Sequence, residues 1–494
     1  MKRAVSLTVM FGVEVLLIEA VGIPFSLNFD MWAFMDAGGN LTAPFLIQQG
    51  YRPVIDFGYI YGLLPLLVER LWLELAGASP SACMVLVTAC NLLVGWALAR
   101  FAVSLGLRGT GIFLIAATLP FAIQANYPGI THALEAALLA NGLAEQAAGR
   151  RATALALATM ACLTKPSMGY VYGALLLGFE ALSLWQHRRA NALALALVKR
   201  ITVAAAIGII IVGVLALTFG TLPLVRTLLP TGGIKVYKAM HHGFFQEGRN
   251  FWYFPGVHVG YYLGTVVGFW LLGTFWLIAG GARALLRMIR DFAADTSVRN
   301  DEEIVFSCAT MHLAFVLLFF GNAFSWFYYS YMLVMGVAAT SAWEGSARYA
   351  VWSLTLIALV GQKTFVKDSY QRWIATAPTR GTAQLWASPE ESAEWLKVLT
   401  LVRADERRGR PRTALLARTG CAELLFPEFA KPVSLYLDPG IPTDEEVMRK
   451  AAQLRQASAV VVVGHSLRAT WPPFDAALAG RTPEFHGKFF DIYR

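Results

Sequence analysis

The residues of this chain that can do chemistry are few, and they stand between long apolar runs. The first polar stretch reads Asn28-Phe29-Asp30-Met31-Trp32-Ala33-Phe34-Met35-Asp36. It continues as Gly50-Tyr51-Arg52-Pro53-Val54-Ile55-Asp56-Phe57, Tyr59, Tyr61-Gly62 and Pro65. A carboxylate in such a loop suits general-base work, the removal of a proton from a hydroxyl. Helix caps and solvated turns are the plainer roles for the same side chains. Asp30 and Asp36 qualify equally on residue type, whereas Asp56, four residues after Arg52, suits orienting a hydroxyl or closing a turn. Lys165-Pro166 is the second signal. A lysine inside an apolar run is costly and rarely faces lipid, so it calls for an anionic partner, with snorkelling to the interface as the simpler alternative. The third is Tyr127-Pro128-Gly129-Ile130-Thr131-His132-Ala133-Leu134-Glu135, where His132 and Glu135 share a helix face at i, i+3. They suit a packed, hydrogen-bonded pair or a binding site at a helix end. His241-His242 lacks a nearby Cys or carboxylate cluster and makes a weak metal site. Arg249, with Trp252 and Tyr253, is the better binding candidate on that segment. Phe324, Trp326, Phe327, Tyr328, Tyr329 and Tyr331 fit an interfacial aromatic belt.

The elements that must position these residues follow from composition. Charged residues make up 15% of the chain and the mean hydropathy is +0.53, against about 25% charged in a soluble domain. From Met1 to about Phe365 the sequence is a series of apolar runs of roughly 18–22 residues, each enough to cross a ~30 Å hydrocarbon core. They predict eleven spans: 4–25, 82–103, 110–126, 130–148, 152–164, 167–184, 201–221, 262–281, 303–320, 327–343 and 349–365. With Lys2 and Arg3 inside, the inner segments hold fifteen Lys and Arg and the outer loops of this part six, Lys165 between two spans set aside. The bias puts the N-terminus in the cytoplasm and the tail outside. The net charge of +9 then encodes orientation, and nucleic acid is not expected. The first span contains Glu14 and Glu19 and lacks a small-residue cleavage site, so it is expected to stay. Lys165 lies 14 residues beyond Arg151, about 20 Å along a helix, in the outer half of the membrane, where Pro166 and Gly169 break the hairpin and leave backbone donors free. Two outer loops, 26–81 and 222–261, are too long for simple connections. Within the first, Tyr61–Ala76 reads as an interfacial helix with Glu69, Arg70 and Glu74 near one face. The expected fold is therefore an all-α polytopic domain over 1–365, with interfacial helices and about eleven transmembrane helices, plus a small α/β domain over 366–494. In that tail, Ser388 and Thr443 open helices as capping boxes with Glu391 and Glu446. Strands are predicted at Thr413–Thr419, Val433–Leu437 and Ala459–Val463, with Phe489–Tyr493 as a last edge strand. The tail carries no nucleotide fingerprint and is assigned no chemistry.

The Asp36-to-Gly50 spacing, Asp56-Phe57, and Tyr61-Gly62-Leu63-Leu64-Pro65 together resemble the GT-C class of membrane glycosyltransferases, which take a sugar from a polyprenyl-phosphate carrier. Bacterial relatives of the protein O-mannosyltransferases and the lipid A aminoarabinose transferases show an aspartate in the first outer loop, a short helix ending in Gly, a "pYrDF" stretch and then "yGPL". The proline here is displaced by two positions, and Thr164-Lys165-Pro166 is similar to their "TK-P/Q" turn. The resemblance implies hexosyl or pentosyl transfer from such a donor to a lipid, glycan or protein acceptor, at the outer face of a bacterial inner membrane. It selects Asp36 as catalytic base over Asp30. It implies Asp56, Arg52, Tyr59, Tyr61, Lys165, His132, Glu135 and Arg249 as substrate-binding residues, with neither metal nor other cofactor. Such chemistry passes through a cation-like sugar and needs a carboxylate for the acceptor proton and cations for the departing phosphate. A transporter or flippase of lipid-linked sugars, and a polysaccharide ligase or polymerase, are the alternatives.

Overall fold

The computed structural model describes residues 2–26, 33–123, 129–186, 191–229, 259–294, 296–318, 330–343, 354–355, 389–410, 412–437, 441–463 and 471–494. Among them the helices run α1 (Lys2–Ser26), α2 (Ala33–Gln48), α3 (Leu63–Ala76), α4 (Pro80–Ser104), α5 (Thr110–Ala122), α6 (Ile130–Ala147) and α7 (Arg151–Thr164). They continue with α8 (Met168–Gln186), α9 (Asn191–Phe219), α10 (Thr221–Leu228), α11 (Val259–Ala293), α12 (Asn300–Leu318) and α13 (Ser330–Trp343). Each of the first ten predicted spans carries a helix; of the last, 349–365, only Leu354 and Thr355 are described, and both are helical. By length and composition, Pro80–Ser104, Met168–Gln186, Leu197–Phe219 and Leu271–Ala293 are long and apolar enough to cross a membrane. Their large apolar side chains also face outward: Leu217 is 90% exposed, Phe275 73% and Ile209 71%. An outward apolar surface of this extent suits lipid as solvent, and the chain is an integral membrane protein.

α6 is the centre. It packs against α4 and α7, and its alanines, Ala133, Ala136, Ala137, Ala140 and Ala144, are all buried. Small residues let helix backbones approach closely where lipid supplies no hydrophobic drive. Its polar residues sit at the two ends. At one end Glu145 accepts hydrogen bonds from Arg100 and Arg150. Beside it Arg151 donates to Glu303 at 2.6 and 2.7 Å, and Arg200 to Glu180 at 2.8 Å. The arginines read from sequence as topology signals are thus also the partners of buried glutamates from α6, α8 and α12. Removing one partner of such a pair leaves an uncompensated buried charge. Glu19 in α1 is similarly held, by Asn91 of α4 at 2.5 Å.

α3 occupies the place of the predicted interfacial helix. The three charges do not share a face: Arg70 pairs with Glu74 at 2.9 Å on the outside, while Glu69 is buried. Adjacent helical residues point about 100° apart, and the sequence reading overlooked that turn.

The tail folds as α14 (Pro389–Arg407), β1 (Ala414–Leu416), α15 (Cys421–Leu425), α16 (Asp444–Gln456), β2 (Val460–Val463), α17 (Pro472–Leu478), β3 (Pro483–His486) and β4 (Phe490–Tyr493). The sheet order is β1-β2-β4-β3, with β1 and β2 parallel and the other pairs antiparallel. The Val460–Val463 run is buried on both faces because successive side chains alternate. Val461 and Val463 join Leu415, Phe490 and Trp395, whereas Val460 and Val462 join Leu416, Val447 and Phe474. The capping box Thr443–Glu446 is present, while Ser388 lies outside the described residues. Two expectations need correction. β4 is interior, because β3, whose residues are mostly exposed and lack strand patterning, covers its outer edge. Val433–Leu437 forms no strand, only an isolated bridge from Tyr436 to Thr419. The first apolar layer of the tail continues into the membrane part through Leu41, Leu73 and Cys83.

Candidate functional site

The site is assembled from the loop between α2 and α3 and from the end of α6 opposite the arginine network. α2 stops at a glycine as predicted: Gly50 has φ +87°, and Tyr51 N donates to Leu46 O at 3.0 Å. The next turn is closed by Arg52 and Asp56. The Arg52 amide and Nε both donate to Asp56 Oδ2, at 2.8 and 2.9 Å, and the Asp56 amide returns to Arg52 O at 2.9 Å. Inside that turn Val54 has φ +67°, strain for a β-branched residue, held by its amide's bond to Phe57 O at 2.8 Å. The hydrogen bonds from Arg52 hold the Asp56 carboxyl below its ordinary value of 3.8. An acid shifted downward stabilises the fold above its unfolded pKa, and that stability is lost as pH falls through the folded value. Amide exchange across 51–57, corrected for intrinsic rate, is therefore expected to stay flat at neutral pH and to accelerate only in acid, below the ordinary carboxylate range. Asp56→Asn should lose that acid step and exchange faster at neutral pH; a wild-type step near pH 7 would refute the assignment.

Beyond the turn, Tyr59 and Tyr61 point into a cavity also lined by Gly39 and Asn40 of α2, Glu69 of α3, Gly129, Thr131 and His132 at the start of α6, and Leu435 and Tyr436 of the tail. The Tyr61 ring stands edge-on to Tyr59 at 5.8 Å and to His132 at 5.5 Å between centroids. Gly62, with its amide donating to Thr164 O at 2.9 Å, ties this loop to the Lys165 turn. A Cβ on Gly62 would lie 2.0 Å from Leu163 O, so no other residue permits this approach.

At that turn α7 ends because Pro166 cannot continue it, and Lys165 is extended, with φ −148° and ψ 114°. The turn is less open than expected: the Lys165 amide donates to Ala161 O and the Ser167 amide to Lys165 O, at 2.9 and 2.8 Å. Lys165 is buried. Its Nζ is 3.3 Å from His132 Nδ1 and 3.8 Å from Glu135 Oε2, and Ser167 Oγ donates to Glu135 Oε1 at 3.3 Å. An ammonium only donates, so Nδ1 must accept. A neutral His132 then carries its proton on Nε2, which is 3.4 Å from the Tyr61 hydroxyl. The polar chain runs Lys165 to His132 to Tyr61 and ends at the cavity wall.

The structure thus brings together Tyr59, Tyr61, His132, Glu135 and Lys165. Lys165 stands behind His132 rather than on the cavity wall, and Arg52 and Asp56 form the turn beside it. Asp36 belongs to α2, one turn before Gly39 and Asn40, but its side chain lies outside the described residues. Asp30, Arg249, Trp252, Tyr253, His241 and His242 lie outside them as well. Of the aromatic cluster only Tyr331 is described, and it is buried among the helices. Among the described residues no three His, Cys, Asp or Glu gather as metal ligands. Sequence reasoning missed Asn40, Glu69, Thr131, Leu435 and Tyr436. A carboxylate in helical register with Leu66 and Leu73, on the apolar face of α3, was a usable signal for Glu69; the tail residues, nearly 400 positions downstream, offered none.

No family profile matches this chain, and neither does any curated protein. Among solved structures it is similar to one described as the crystal structure of ArnT from Cupriavidus metallidurans bound to undecaprenyl phosphate. The identity is 13% and the TM-score 0.49, over 98% of this chain and 97% of that one.

Proposed function

We propose that this protein is a membrane glycosyltransferase that moves a sugar from a polyprenyl-phosphate carrier to a hydroxyl of a lipid, glycan or protein acceptor. The observation that carries the reading is the buried Lys165–His132–Tyr61 chain, which opens on a cavity walled by the helix that bears Asp36. Buried cationic and hydroxyl donors at a helix end suit an anionic head group, and a carboxylate one turn away suits an acceptor proton. In the reaction, Asp36 takes the proton of the acceptor hydroxyl as that oxygen bonds to the anomeric carbon. The bond from that carbon to the phosphate oxygen breaks, and its electron pair leaves with the carrier phosphate. Tyr61 and His132, backed by Lys165, meet the added negative charge, and Tyr59 shapes the wall beside them.

The arginine bias supports an outward-facing Lys165 end. Single cysteines at Arg150 and in the tail, labelled in intact cells, test this: only the tail site should react. The activity is tested with purified protein and radiolabelled polyprenyl-phosphate sugars. Release of the sugar to water or acceptor is expected. Transbilayer movement of intact donor without cleavage would mark a flippase and overturn the reading.

A further inference from the structure

The tail does more than cover the membrane part. In a capping box the glutamate side chain returns to the N-cap amide, and Glu446 does so, accepting from Thr443 N at 3.3 Å. The same buried carboxylate accepts two further amides from separate segments. Gly58 N, 388 residues away in sequence, donates to Oε2 at 2.8 Å, and Leu435 N donates to Oε1 at 2.5 Å. Both segments wall the cavity: Gly58 precedes Tyr59 and Tyr61, and Leu435 with Tyr436 forms the facing side. Arg449, three residues on and so on the same face of α16, donates to the Asp56 carbonyl and lies over the Tyr51 ring at 4.7 Å. The approach is close enough that a Cβ on Gly58 would sit 1.9 Å from Ile441 O, and one on Gly39 1.8 Å from the Tyr436 hydroxyl. The loop is therefore pinned twice, to the tail at Gly58 and to the Lys165 turn at Gly62, with the two tyrosines between the pins.

We propose that the tail forms a wall of the cavity and that Glu446 is a positioning residue, setting the Gly58–Gly62 loop and the Leu435–Tyr436 segment against each other. Its consequence for lipid-phosphate binding rests on the function proposed above; the clamp itself does not. A carboxylate with two acceptor oxygens is what three converging amides require, and losing it leaves all three unpaired, those of Gly58 and Leu435 in buried places.

The test uses the full chain with Glu446→Ala, Gly58→Ala and, as a control, Arg481→Ala. Arg481 donates to the carbonyls of Leu454, Arg455 and Ala457 at the far end of α16, so its loss loosens the tail without touching the loop. Hydrogen exchange reads local opening residue by residue, and exchange at Val460–Val463 reports whether the tail remains folded. With either clamp variant, exchange across 56–62 should rise about tenfold or more while Val460–Val463 stays protected, and undecaprenyl phosphate should bind about tenfold more weakly. Arg481→Ala should change neither. Unchanged exchange across 56–62 in Glu446→Ala, or an equal rise in Arg481→Ala, overturns the clamp. Faster exchange with undiminished lipid binding overturns its role at the cavity. If the wild type itself fails to bind undecaprenyl phosphate, the function proposed above falls, and exchange alone then decides the clamp.

Discussion

Lys165→Gln is expected to weaken undecaprenyl-phosphate binding at least tenfold and to lower the melting temperature at the same time. The two effects have different origins. Lys165 and Glu135 are both buried, 3.8 Å apart, and breaking such a pair from one side costs about 3–5 kcal/mol because the remaining charge is stranded. A stability loss alone would say nothing about the ligand. The double variant Lys165→Gln with Glu135→Gln separates the effects, since it removes both charges and should recover most of the melting temperature. If Lys165 serves only as the partner of Glu135, lipid binding recovers with the fold. If its charge is relayed through His132 Nδ1, 3.3 Å away, binding stays weak in the restored protein. A charge-assisted hydrogen bond contributes about 1.5–3 kcal/mol, so a loss of about ten- to a hundredfold is the expected scale. Full recovery of binding in the double variant would make this cluster a structural ion pair.

The course of the chain explains which of these features its sequence disclosed. The helices were legible because a span needs a minimum apolar length whatever it packs against, so α4, α8 and α9 appear as runs. The break at Lys165-Pro166 was legible because proline ends helices locally. Thr443–Glu446 was legible as a cap for the same reason: its hydrogen bonds span three residues. The bond from Gly58 to the same glutamate was not, because nothing in local spacing records a contact across 388 positions. Glu145, Glu180 and Glu303 were invisible as arginine partners, since topology rules count Lys and Arg and pass over the acids that pair with them. The place of β4 failed for a further reason. An edge strand such as β3, exposed and polar, carries no hydrophobic alternation, so the strand it covers looks terminal. For the cavity, polar residues at helix ends pointed to Tyr61, His132 and Lys165, but which of them reaches the wall depends on side-chain order across three elements.

Asp36→Asn is expected to abolish measurable sugar transfer while leaving undecaprenyl-phosphate binding within about twofold of wild type. General-base catalysis contributes roughly 10²–10⁴-fold, and an amide of nearly the same shape cannot take the acceptor proton. Three carboxylates of the first outer loop compete for this role, and their settings differ. Asp56 accepts from the Arg52 amide and guanidinium at 2.8 and 2.9 Å, and Arg52 lowers its pKa, which makes it a weaker base already occupied in a turn. Asp30 lies outside the described residues, and the Asp36-to-Gly50 spacing that the resemblance picks out begins after it. Asp36 lies within α2, one turn from Asn40 on the cavity wall. Helical elements hold catalytic groups more precisely than loops do. Asp30→Asn should therefore keep nearly full turnover, and Asp56→Asn should fall between, because it loosens the turn that leads to Tyr59 and Tyr61. Single-turnover rates on the three variants, each first shown to melt cooperatively, decide among them. Full activity in Asp36→Asn with loss in Asp30→Asn would move the base to Asp30. Full activity in all three would remove this loop from the chemistry altogether.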